Sequence, residues 1–304
     1  MEIKNVAVLG RGAVGTLFGD IIHRHLGKEH FCFIGEEERV ARYKKESFYL
    51  NHQVTDFRYA ANVEEFHPVD LLIISVKYPV LLKSLEAARS FVKEDTIILT
   101  LLNGITSESL VEKALQKGIV IHSIAQLMDA VKDEHGVIYS NTGEIVLGTP
   151  NPTRTDALHD VVTFFDKVKL PYRISNDILH DQWSKLMLNC GINQVCAVFD
   201  VGYGGCQKEG KLRELFIATM KEVQNIAIKE GIVLTNLEIE NWVKAVDRLS
   251  PEAMPSMRQD MLAHRYSEVD LFSKTMIDLA KIHHMDVPIN TMLYEKIKAK
   301  ENKF

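Results

Sequence analysis

Lys185, Asn189 and Asn193 recur every four residues within the apolar stretch Trp183–Asn193. On an α-helix each four-residue step advances only about 40° around the axis, so the three side chains share one face. A cation and two amides are costly to bury among leucine, methionine, isoleucine and cysteine unless each finds a partner. The stripe therefore suits a wet cleft that receives a polar molecule. An ammonium there can polarise a carbonyl and then protonate its oxygen, while amides hold hydroxyl or carboxylate oxygens. A free lysine, with a pKa of about 10.4, is a reluctant donor near neutrality, so desolvation or a neighbouring charge must tune it. A lysine snorkelling from an amphipathic helix is the plain alternative for Lys185 alone, but it does not account for the set.

A second constellation lies near the start of the chain. Gly10-Arg11-Gly12-Ala13-Val14-Gly15 follows the apolar run Val6–Leu9 and opens a helical pattern. The first glycine permits a tight turn, the second a close approach to a pyrophosphate, and the third close helix–strand packing. Strand, loop and helix in this order make all six residues candidates for binding a dinucleotide. The next apolar run, Phe31–Gly35, is followed by Glu36. An acid there suits the ribose 2′-hydroxyl of NAD, whereas Arg39 or Arg42 could reach the 2′-phosphate of NADP. The same charges also fit the solvated first turn of a helix. Lys77 and Asn103 each close an apolar run, at the sheet edge where open parallel sheets bind ligands; Lys77 could approach cofactor and substrate, and Asn103 could hydrogen-bond to either.

Elements that position these residues can be read from periodicity. Short apolar runs at Val6–Gly10, Phe31–Gly35, Leu71–Val76 and Ile97–Leu102 alternate with helical patterns at 80–92 and 107–117. Gly143–Gly148 adds a late strand. The alternation predicts an α/β fold: a Rossmann-type doubly wound parallel sheet over residues 1–172. From Asp177 onward helical periodicity takes over, including Leu212–Glu230, Asn236–Leu249 and one long stretch Met257–His284. An all-helical domain over 173–304 is expected.

The 304 residues carry a net charge of −5 with 46% hydrophobic and 25% charged residues, as in ordinary globular chains. Such a balance points to neither a nucleic-acid nor a membrane partner. Cys32, Cys190, Cys196 and Cys206 fall in no metal-ligand spacing, and His283-His284 cannot face one way on a helix, so no metal is expected. No apolar run approaches a membrane span, and the N-terminal residues lack a signal-peptide pattern. A cytoplasmic protein with reduced thiols is expected.

Together these residues resemble the ketopantoate reductase (2-dehydropantoate 2-reductase) family over nearly the whole chain. The resemblance rests on the glycine loop, Ser75-Val-Lys77, Asn103-Gly104, the Trp183–Asn193 segment, Pro255-Ser256-Met-Arg-Gln-Asp260 and His264-Arg-Tyr-Ser-Glu268-Val-Asp270. It implies NADPH-dependent reduction of a 2-oxo acid to a 2-hydroxy acid, usually 2-dehydropantoate to pantoate in pantothenate biosynthesis. By the same resemblance Lys185 is the catalytic lysine and Glu268 the carboxylate beside it. Asn189, Asn193 and Ser256 match substrate-binding positions, while Lys77 and Asn103 match the cofactor edge. We expect Glu268 to orient Lys185 or accept a hydrogen bond from substrate. By local pattern, Ser256-Met-Arg-Gln259 also reads as a helix capping box, and Glu268 as a helical glutamate paired with Arg265.

Three departures stand out: Gly35-Glu36 where the family often has arginine, Tyr203 where a further asparagine is common, and Gln126-Leu-Met-Asp-Ala130. They keep open NADP or NAD as cofactor, and an NAD-dependent dehydrogenase of another branched or aromatic 2-hydroxy acid. A non-catalytic dinucleotide sensor is the reading from another class. The expected partner is a small 2-oxo acid, and exposed faces of the C-terminal helices could support a homodimer.

Overall fold

Residues 1–304 are described by a computed structural model. Twelve strands occur, in chain order β1 Val6–Leu9, β2 Phe31–Ile34, β3 Tyr49–Leu50, β4 Gln53–Val54, β5 Tyr59–Ala60, β6 Val69–Ile74, β7 Val92–Thr100, β8 Ile119–Gln126, β9 Val131–Lys132, β10 Gly136–Ile138, β11 Glu144–Gly148 and β12 Tyr172–Ile174. Eight of them form one sheet in the order β12-β11-β8-β7-β6-β1-β2-β5. Neighbours are parallel except β8 with β11. Strands β1 and β2 are buried along their whole length, which is why their sequences are continuously apolar rather than alternating. Strand order reverses between β1 and β6, and the carboxyl edge at such a reversal is where open α/β sheets receive ligands.

Helices α1 Ala13–Leu26, α2 Glu37–Lys45, α3 Leu81–Ala88, α4 Ser107–Leu115 and α5 Thr155–Val168 accompany this sheet. The buried residues of α5, Ala157, Val161, Phe164, Phe165 and Val168, follow helical spacing and join Leu17, Phe18 and Ile22 of α1 in the core. A second sheet, of order β4-β3-β10-β9, was not anticipated. Its strands are two or three residues long, too short for any period to show.

The chain divides into two compact units. The first comprises Met1–Leu102 with Thr106–Ile178, and the second Asn103–Ile105 with Leu179–Phe304. Relative to the expected division at 172/173, the first unit runs further because β12 pairs with β11. The three residues Asn103–Ile105 group with the helices instead.

The second unit is helical: α6 Ile178–Leu188, α7 Gln194–Phe199, α8 Gly204–Gln207, α9 Lys211–Lys229, α10 Asn236–Asp247, α11 Ser256–Leu262, α12 Ser273–Ile282 and α13 Pro288–Glu301. Two expectations are corrected here. The stretch Met257–His284 is not one helix: it stops at Leu262, where His264 turns into the left-handed region at φ 49°, and resumes at Ser273. Arg265 N–H donates to the Asp260 carbonyl, and Ser267 N–H and Oγ donate to the buried Glu301 carboxylate, fixing the break. Nor is Trp183–Asn193 uniformly α-helical, since a π turn occupies Asn189–Asn193. No helix is long and apolar enough to cross a membrane.

Candidate active site

The dinucleotide loop is shaped by what its glycines touch. Gly10 has φ 111°, and a Cβ there would sit 2.9 Å from the Ser75 main chain. A Cβ on Gly15 would meet Ser75 Oγ at 2.1 Å and the Gly10 carbonyl at 2.2 Å, so α1 packs down on the loop only without a side chain. Ser75 Oγ donates to the Gly10 carbonyl at 3.0 Å, tying the end of β6 to the loop. At Gly12 the nearest atom to a Cβ is 3.7 Å away, leaving room on that side. Gly12 caps α1, whose first turn has neither a side-chain cap nor an acidic residue. The first-turn amides of α1 therefore suit phosphate, and the loop fits a dinucleotide.

Arg11 is turned inward: its guanidinium lies 3.7 Å from the centre of the Tyr43 ring and 4.0 Å from that of Phe48. Nη1 donates to the Tyr59 hydroxyl at 3.0 Å, and Nη2 pairs with Glu46 at 3.3 Å. What Arg11 offers in the loop, with Ala13 and Val14, is backbone. Glu36 sits at the cap of α2, accepting from Ser84 Oγ at 3.2 Å and lying 3.5 Å from Arg39 Nε. Lys77 is exposed just beyond β6. One further cation escaped sequence analysis: Lys132, whose Nζ donates to the Arg11 carbonyl at 2.9 Å. Nothing in its two-residue strand signals this.

In the second unit Lys185, Asn189 and Asn193 lie along α6 and the π turn. An α-helical four-residue step overshoots a full turn, whereas the wider π turn makes the same step fall short. The turn thus swings Asn193 back toward the line of Lys185 and Asn189. Asn193 Nδ2 donates to Asn189 Oδ1 at 3.1 Å. A Cβ on Gly191 would stand 2.6 Å from the Phe216 ring, so α9 packs against the turn through that glycine. Gln194 Nε2 donates to the Cys190 carbonyl at 2.7 Å.

Ser256 is the first helical residue of α11, after Pro255, and makes no capping box. Its Oγ donates to Asn193 Oδ1 at 3.3 Å, with the Met257 N–H contributing at 3.4 Å. Glu268 lies in the break between α11 and α12, 7% exposed, rather than on a helix surface. Arg265 pairs with Asp260 at 3.1 Å instead. Asn103 Nδ2 donates to Glu268 Oε2 at 2.9 Å. Burial pushes the Lys185 ammonium down to about 8, and the Glu268 carboxylate opposes that shift. Structure thus links Asn103 to Glu268 and Glu268 to Lys185, and separately Asn189 to Asn193 to Ser256. A lysine poised near 8 beside a fixed carboxylate can hold a proton at neutral pH and release it readily.

The chain is similar to known proteins along nearly its whole length. Residues 6–152 match the family model "Ketopantoate reductase PanE/ApbA", and residues 177–301 match its C-terminal counterpart. The 2-dehydropantoate 2-reductase of Pyrococcus horikoshii is 26% identical over 301 residues, spanning 98% of this chain and 97% of its own. Among solved structures, D-mandelate dehydrogenase with NADH and anilino(oxo)acetate superposes with a TM-score of 0.86 at 24% identity, covering 98% of this chain and 99% of that one. A PanE/ApbA family ketopantoate reductase from Ralstonia eutropha superposes with a TM-score of 0.82 at 21% identity, with the same coverage. The last two likenesses establish the fold. With both family models matched in order along its length, the chain belongs to the ketopantoate reductase family and is an NAD(P)-dependent oxidoreductase.

Proposed function

We propose that this chain reduces a 2-oxo acid to the 2-hydroxy acid, with 2-dehydropantoate as substrate and pantoate as product. The observation that carries the reading is Lys185 on one face with the hydrogen-bonded pair Asn189 and Asn193, its ammonium pressed down to about 8 by burial against the opposing Glu268 carboxylate. When bound, the reduced nicotinamide supplies a hydride to the C2 carbonyl carbon. Lys185 donates a hydrogen bond to the carbonyl oxygen, polarises it, and delivers the proton that completes the hydroxyl. Glu268, anchored by Asn103, holds the ammonium in place and favours its charged form until transfer. Asn189, Asn193 and Ser256 hold hydroxyl and carboxylate oxygens of the acid; their mutual hydrogen bonds orient these groups before substrate arrives.

A substrate panel of 2-dehydropantoate, phenylglyoxylate and 2-oxoisocaproate, each with NADPH and NADH, tests the proposal. Fastest kcat/KM with 2-dehydropantoate is expected. Preference for phenylglyoxylate or 2-oxoisocaproate would reassign the substrate to an aromatic or branched acid. No turnover of any acid, despite tight dinucleotide binding, would leave a sensor.

A further inference from the structure

The second strand ends in Glu36, and an acid at that position ordinarily favours the ribose 2′-hydroxyl and repels a 2′-phosphate. Here Glu36 is already engaged by Ser84 and Arg39. Positive charge gathers close by. Lys132, on β9 of the small sheet, spends one of its three N–H donors on the Arg11 carbonyl within the dinucleotide loop. Arg11 from the loop and Arg39 and Arg42 from α2 act on it, against the Glu46 carboxylate at the end of that helix. Asp133, next to Lys132, is committed to the N–H groups of His135 and Gly136 at 2.8 Å. The Tyr59 hydroxyl is taken by Arg11.

Arg11 cannot turn to meet a ligand, because Tyr43 and Phe48 cover its guanidinium and two of its nitrogens are bonded. Lys132 retains two donors on a flexible stem. Burial and the three arginines together press its ammonium down to about 8. Holding a desolvated lysine among arginines works against folding, and a phosphate dianion would reverse that penalty.

We propose that Lys132, carried by the small sheet, recognises the 2′-phosphate of the dinucleotide and makes this chain prefer NADPH over NADH in spite of Glu36. The proposal rests on the glycine loop being a dinucleotide site. It also gives the preference a pH dependence: Lys132 binds phosphate in its charged form, so selectivity is full at pH 7 and weakens as pH rises past 8. Between pH 8 and 9, phosphate binding recharges the lysine and draws a proton from solution, whereas a dinucleotide without the phosphate does not.

Calorimetric titration with NADP+ and NAD+ tests this on the full chain, at pH 7 and pH 8.5, in two buffers of different ionisation enthalpy. Wild type should bind NADP+ tighter at pH 7 and show extra proton uptake with NADP+ at pH 8.5. Lys132→Met should weaken NADP+ about tenfold or more, the worth of one charge-assisted contact, with NAD+ within about twofold. Lys132→Arg should keep the preference but lose its pH dependence and the extra proton, since arginine stays charged. Equal weakening of both dinucleotides by Lys132→Met, as for a mere loop brace, overturns the proposal. So does an NAD+ preference in wild type, or no effect of the substitution. Failure of both dinucleotides to bind wild type would instead remove the dinucleotide reading of the loop, and this proposal with it. Which acid the substrate panel favours bears on neither.

Discussion

Asn103 and Glu268 stand 165 positions apart, and the amide of one donates to the carboxylate of the other at 2.9 Å. Asn103 follows a strand of the large sheet, yet it groups with the helical unit, where the charge of its partner acts on Lys185. Removing it leaves a buried carboxylate short of a donor. Asn103→Ala should cost about 1–2 kcal/mol of stability and lower kcat by roughly tenfold. Asn103→Asp, which sets a second carboxylate against Glu268, should cost more on both counts. Thermal melts and steady-state rates of the pair check this; equal behaviour of the two variants would sink it.

Lys185→Ala removes the proton donor. We expect kcat to fall by about 10²–10⁴, the usual worth of general acid catalysis, with dinucleotide affinity within about threefold of wild type. Single-turnover rates alongside a binding titration separate the two effects. Unchanged kcat would end the assignment.

The pH profile follows from the same side chain. Lys185 must be protonated to act, so the rate of carbonyl reduction should fall as pH rises through about 8. Glu268 raises that value, so Glu268→Gln should move the fall to lower pH as well as slow the reaction. A profile descending near 10, the range of a free lysine, would contradict both statements.

Stability should respond in the opposite sense. The folded-state value of Lys185 is depressed, so the unfolded chain binds the extra proton between about 8 and 10.4. Burying the charged form therefore costs stability below 8, and this cost fades as pH approaches 10.4. Lys185→Met should raise the melting temperature at pH 7, by the equivalent of about 1–2 kcal/mol after allowing for the side chain's partial exposure. The advantage should shrink in alkaline buffer. Denaturant titrations at pH 7 and pH 10 give the comparison.

The glycines of the loop should separate packing from binding. Gly15→Ala forces a methyl onto Ser75 Oγ and the Gly10 carbonyl and should destabilise the fold by about 1–3 kcal/mol. Gly12→Ala meets nothing closer than 3.7 Å and should melt near wild type while binding either dinucleotide more weakly. Melting curves and dinucleotide titrations of both variants decide it.

Much of this protein was legible in its residues, because the signals are local. Continuous apolar runs at Val6–Leu9 and Phe31–Ile34 read as strands buried on both faces, and the glycine spacing after the first reads as a tight turn under a helix; both are found. The four-residue spacing of Lys185, Asn189 and Asn193 marked one chemical face, although it gave no hint of the π turn that realigns Asn193. Tertiary structure decided what depends on distant partners. Glu268 and Ser256 look like helix-surface and capping residues in local pattern, but chain folding buries the first against Asn103 and turns the second onto Asn193. Lys132 is a lone charge in a two-residue strand until β9 carries it to the Arg11 carbonyl. Local sequence encodes backbone preference and periodicity; burial and charge at one point in space are sums over segments that only the fold brings together.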